Sequence, residues 1–126
     1  MSVQSARRDK GAMAFHAGLA AEGGIARDYA HRGFAPVSRR WRGQAGEIDL
    51  IVRNGDGFIF VEVKQSRAFE DAAHSLGRAQ MRRIYACAEE FLSTQPQGAL
   101  TEARFDVALV NGQGAFQIIE NAFGHG

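Results

Sequence analysis

The chain has 126 residues, 45% of them hydrophobic and 23% charged, values that fit one globular domain and exclude a disordered tail, a collagen-like repeat and a disulfide mini-protein. Its single cysteine, Cys87, rules out an internal disulfide or a one-chain thiolate cluster, and no apolar run approaches the ~18 residues of a membrane span. The formal net charge of +1 conceals an asymmetry, because residues 1–42 hold 8 Lys/Arg against 3 Asp/Glu and residues 43–126 hold 7 against 11.

Residues 1–11 read as a flexible polar arm ahead of a single domain over 12–126. Arg7, Arg8 and Lys10 are followed by no apolar stretch of signal-peptide type, so a cytoplasmic location and no membrane partner are expected. From Ala12 to about His31, Phe15, Leu19, Ala26 and Tyr29 fall on one helical stripe together with Glu22. The Gly23-Gly24 pair predicts a break or kink beside Glu22, and Gly33 predicts the stop.

Phe34–Trp41 reads as a first strand with Pro36 near its start. Ile48–Arg53 and Phe58–Lys64 read as a hairpin around Asn54-Gly55-Asp56-Gly57. A second helix is expected over Leu76–Leu92, with Leu76, Ile84, Ala88, Phe91 and Leu92 inward and Cys87 as a small core residue. After a loop at Ser93–Ala99, Arg104–Val110 and Ala115–Ile119 form a second hairpin across Asn111–Gly114. The order predicts an α/β fold with one mixed central sheet of about five strands flanked by helices.

If the first hairpin turns about the Gly55-Asp56 bond, Asp49 faces Glu62 and Glu47 faces Lys64. Alternation then places Ile48, Leu50, Val52, Ile59, Val61 and Val63 on one aliphatic face. Glu47, Asp49, Ile51, Phe58, Phe60, Glu62 and Lys64 share the other, where the aromatics near the turn require cover and the charged end becomes the floor of a cleft. Opposed carboxylates repel unless a cation compensates. Asp49 and Glu62, with the Val63 carbonyl, offer the oxygen ligands that Mg²⁺ or Mn²⁺ takes. Lys64 is placed to orient an attacking water or to stabilise charge on phosphorus, and Glu22 to add a further ligand. The competing reading is a salt-bridge cluster at a strand end.

Gly46-Glu47-Ile48-Asp49-Leu50-Ile51, Phe60-Val61-Glu62-Val63-Lys64, Arg104-Phe105-Asp106-Val107 and Ala21-Glu22 resemble the YraN family of small bacterial proteins over about residues 15–110. That family is similar to restriction-endonuclease-like nucleases of the PD-(D/E)xK type, including archaeal Holliday-junction resolvases. The resemblance implies a restriction-endonuclease-like core, with Asp49, Glu62 and Lys64 as the catalytic set and Glu22 as the helix carboxylate. The chain departs from the family at Arg40-Trp41-Arg42, where an Asn often stands two residues before an Arg, and at Gln80, where a Lys is common.

The expected activity is metal-dependent hydrolysis of DNA phosphodiesters, at branched DNA if the resolvase likeness extends that far, which would require a homodimer. The alternatives are an inactive module that binds nucleic acid or a protein, and an RNA-directed nuclease. Arg39, Arg40 and Arg42 around Trp41, with Arg78, Arg82 and Arg83 on the second helix, are candidate phosphate contacts, Trp41 a base-stacking platform, and Gln80 a cleft-facing residue. Of the histidines, His16, His31 and His125 read as incidental, and His74, close to the Glu70-Asp71 loop, as a minor site candidate. Arg104 and Asp106 alternate onto one face as a structural ion pair.

Overall fold

In a computed structural model of the chain, residues 21–65 and 77–122 are described. The N-terminal arm, the start of the first helix, Glu70, Asp71, His74 and Leu76 lie outside the described residues. The elements are helix α1 (residues 21–31 of the described chain), β1 (Pro36–Arg42), β2 (Glu47–Asn54), β3 (Gly57–Gln65), α2 (Arg78–Leu92), β4 (Ala103–Val110) and β5 (Phe116–Ile119). The strands form one mixed sheet in the order β1-β2-β3-β4-β5. β3 and β4 are parallel and the other neighbours antiparallel, so α2 lies on the crossover between the two parallel strands.

The helices cover opposite faces. Ala21, Ile25, Ala26 and Tyr29 of α1 pack on Leu50, Val52, Ile59, Val61, Ala108 and Val110. Ile84, Cys87, Ala88, Phe91 and Leu92 of α2 pack on Ile51, Phe58, Phe60, Phe105, Val107 and Leu109. Phe91 is the hub of the second layer, edge-on to Trp41, Phe58 and Phe60 at centroid separations of 5.7, 5.0 and 5.8 Å. A central strand covered on both faces carries a continuous apolar run, which is why Phe58-Ile59-Phe60-Val61 shows no polar alternation.

Helix α1 runs through Gly23-Gly24 unbroken, contrary to the expected kink. A Cβ on Gly24 would stand 3.3 Å from a ring carbon of Phe116, so the absent side chain lets the helix settle on β5. The stop at Gly33 is as expected. Its φ of +96° allows Gly33 N–H to reach Ala30 O at 3.0 Å and Phe34 N–H to reach Tyr29 O at 2.9 Å, with the Tyr29 and Phe34 rings in edge contact. Phe34 therefore closes the helix, and the first strand starts at Pro36, later than expected. That strand is a sheet edge, where a missing N–H is tolerated.

Arg104 and Asp106 form the expected ion pair. The guanidinium donates twice to the fully buried carboxylate at 3.0 Å, which also accepts Tyr29 O–H at 2.7 Å and Asn121 N–H at 2.9 Å. The network ties α1, β4 and the chain beyond β5 together. Desolvation and the Asp106 bond push the Tyr29 phenol up, so it stays a donor.

Candidate active site

The hairpin keeps the expected register from Asn54–Gly57 to Leu50–Val61. There the two strands part: β2 continues along β1 as far as the Arg42–Glu47 pair, and β3 continues along β4 as far as Gln65–Val110. Asp49 fills the opening, its Oδ2 accepting the Val63 N–H at 2.8 Å in place of a ladder bond. The charged end of the hairpin, expected to be the floor of a cleft, lies at this divergence. Glu47 is not opposite Lys64, because the ladder has already ended; it pairs across β1 with Arg42 at 3.3 Å.

The ladder ends at Leu50–Val61, one pair short of the expected Asp49–Glu62 pairing, and in the gap beyond it the two carboxyls act on each other. Glu62 is 7% exposed. Burial, then the Asp49 charge, push its carboxyl up to about 7, against the opposing pull of Lys64, the Gln80 bond and Arg83. Asp49 is raised as well, by burial first and then by the charges of Glu22 and Glu47, against the Val63 N–H and Glu62 bonds. Burial is the largest cause for both, so each carboxyl resists ionisation more than a free one does. Lys64, two residues along β3 from Glu62, is partly buried.

Gln80, in the first turn of α2, donates its amide to Glu62 Oε1 at 3.0 Å, so it faces the charged end of the hairpin. Glu22 is 8% exposed and held by arginines of β1. Arg40 Nε and Nη2 each lie 3.3 Å from its carboxylate, and Arg39 Nη2 lies at 3.9 Å. Among the described residues no three His, Cys, Asp or Glu groups converge closely enough to hold a metal ion as they stand.

Two placements differ from the expected pattern. Ile48 joins Trp41 in the α2 layer, not the layer of Leu50 and Val52. Arg40, across the sheet from Asp49 in the register of β1 and β2, has φ +56°, and such a residue interrupts strand alternation. Trp41 is partly buried with its ring against Phe91, which gives it a core role in place of a free stacking platform. Of the arginines on α2, Arg78, Arg82 and Arg83 are all exposed, and Arg83 is the one whose charge acts on Glu62 and whose stem covers Gly46. Glu90 was not singled out by sequence, yet its carboxylate accepts the Gln44 N–H at 2.8 Å and fastens α2 to the β1–β2 connection. Its only local sign is a half-buried acid on a helix face, which any surface helix offers.

The fold and site define a mixed α/β protein whose central hairpin opens onto a buried and a half-buried carboxyl beside a lysine. The model of the uncharacterised protein family UPF0102 matches residues 21–110, the stretch that runs from α1 through β4. The chain is 62% identical over 110 residues to a UPF0102 protein of Ruegeria pomeroyi, covering 87% of this chain and 89% of that one. It is 51% identical over 126 residues to one of Roseobacter denitrificans, covering 100% and 98%. A third, from Cereibacter sphaeroides, is 53% identical over 113 residues, covering 90% and 97%. The chain belongs to the UPF0102, or YraN, family. No helix among the described residues is long and apolar enough to cross a membrane.

Proposed function

We propose that this protein is a divalent-metal-dependent endonuclease that hydrolyses DNA phosphodiester bonds. The observation that carries the reading is the Asp49–Glu62 pair, a half-buried and a buried acid from diverging strands whose carboxyls are both raised, with Lys64 acting on Glu62. Such a pair accepts a cation in exchange for its proton more readily than it tolerates two bare charges. Asp49, Glu62 and the Val63 carbonyl would hold Mg²⁺ or Mn²⁺, and Glu22 would add a ligand or orient water. The cation, when bound, supplies positive charge against the phosphate under attack.

The chain's own groups do the rest. Gln80 fixes the Glu62 carboxylate through its amide. The Lys64 ammonium orients the attacking water or stabilises charge on the phosphoryl oxygens. Arg39, Arg40, Arg42, Arg78, Arg82 and Arg83 neutralise backbone phosphates without reading bases, which makes affinity steeply salt-dependent. Branched DNA as substrate would need two sites related by a dyad, hence a homodimer.

The test incubates labelled branched, duplex and single-stranded DNA, with an RNA control, in Mg²⁺, Mn²⁺ or EDTA. Asp49→Asn and Lys64→Ala are run beside the wild type. Cleavage that needs metal and disappears in both variants is expected. Retained binding with no cleavage in any metal would replace the enzyme with a nucleic-acid-binding module, a reading favoured by the ties that hold Glu22 to arginine.

A further inference from the structure

Arg39 and Arg40 are consecutive strand residues, and in a regular strand their side chains leave opposite faces. Both nevertheless reach Glu22, Arg40 with two contacts at 3.3 Å and Arg39 at 3.9 Å. The backbone of Arg40, at φ +56°, accounts for this. A positive φ at a long side chain persists only where its surroundings demand it, and such outliers gather at functional sites. The Glu22 charge also acts on Asp49, raising its carboxyl, so the helix acid is coupled both to the arginines and to the carboxylate pair.

Glu22 is thus neutralised by guanidinium groups and is not gathered with Asp49 and Glu62 into a metal-binding set. Those guanidiniums keep one side in solvent, the side chains of Arg39 and Arg40 being 48% and 40% exposed while that of Glu22 is 10% exposed. A backbone phosphate offers the same groups the same bidentate geometry as a carboxylate. We propose that Arg40, with Arg39, is a positioning residue that keeps the Glu22 carboxylate engaged until a nucleic-acid phosphate takes over the arginines and frees it to join Asp49 and Glu62 on a cation, so that nucleic acid and divalent cation bind cooperatively. The inference rests on the nuclease reading of the Asp49–Glu62 pair. It gives the arginines of β1 a second task, completing the cation site only when substrate is present.

The test measures Mn²⁺ affinity of the DNA-free protein by the electron paramagnetic resonance of unbound Mn²⁺. Arg40→Gly is the main variant, because glycine adopts φ +56° without strain while the contacts to Glu22 are removed. Arg40→Gly should bind Mn²⁺ at least about fivefold more tightly than wild type, the lower end of ordinary coupling. The gain should vanish when Glu22→Gln is added, whereas a mere through-space charge effect would survive that change and overturn the proposal. Reciprocally, Ca²⁺ should tighten wild-type binding to a labelled duplex, read by fluorescence anisotropy, and tighten Arg40→Gly binding much less. Mn²⁺ binding that is lost in Asp49→Asn but unmoved in Arg40→Gly would sink the latch alone. Absence of Mn²⁺ binding in every form would sink the latch and the nuclease reading together.

Discussion

Replacing Glu62 by Gln keeps the shape of the side chain and its place beside Gln80 while removing the acid whose pKa is raised to about 7 from 4.5. A folded-state pKa above the unfolded value means that the folded protein holds more protons between those two values, so its stability falls as pH rises through that window. The rise of roughly two and a half pKa units, at about 1.4 kcal/mol each, corresponds to about 3 kcal/mol lost by pH 8 relative to pH 4 in metal-free buffer. With a urea dependence near 2 kcal/mol/M, the unfolding midpoint of wild type should drop by ~1.5 M relative to Glu62→Gln across that range. Asp49→Asn should shrink the drop, because the Asp49 charge is the second cause of the shift. The assay is urea unfolding followed by circular dichroism at four pH values in EDTA. Parallel pH profiles for wild type and Glu62→Gln would refute a raised Glu62 carboxyl in the strand gap. Millimolar Mg²⁺ should raise the wild-type midpoint above pH 7 and leave the variant's unchanged.

Asp106→Ala should cost about 3 to 5 kcal/mol in thermal or chemical unfolding, since it strands the Arg104 charge and the Tyr29 hydroxyl in a buried network; a loss below ~1 kcal/mol would mean that the network relaxes without it. Gly33→Ala should lose about 1 to 2 kcal/mol in the same measurement, because φ +96° is closed to a Cβ-bearing residue without strain. Phe91→Ala should cost about 3 to 5 kcal/mol by removing the ring on which Trp41, Phe58 and Phe60 converge, with a matching loss of near-ultraviolet dichroism. Replacing both Arg39 and Arg42 by Gln should lower the magnitude of the slope of log affinity for duplex DNA against log salt by nearly 2, measured by anisotropy; an unchanged slope would exclude them from phosphate contact.

The neighbourhood of Asp49 and Glu62 was legible in the chain because the Asn54-Gly55-Asp56-Gly57 turn sets the hairpin register as far as Leu50–Val61, the pair next to both acids. The Gly33 stop and the Arg104–Asp106 pair belong to the same kind, set by the conformational freedom of glycine and by an i, i+2 spacing on one strand. Other features depend on elements far apart in sequence, where spacing carries no distance. Helix α1 stays whole at Gly24 because Phe116 lies against it, and Gln80 finds Glu62 because the crossover returns α2 across the sheet. The left-handed backbone of Arg40, the shift of Ile48 into the α2 layer and the capture of Glu22 carry no local sign. Short-range backbone and side-chain preferences sufficed to choose the elements and the hairpin register as far as Leu50–Val61. Which charges Asp49 and Glu62 face, and where the strands part to expose them, followed from how distant layers pack, because each strand satisfies its hydrogen bonds with a different neighbour once the hairpin ladder ends.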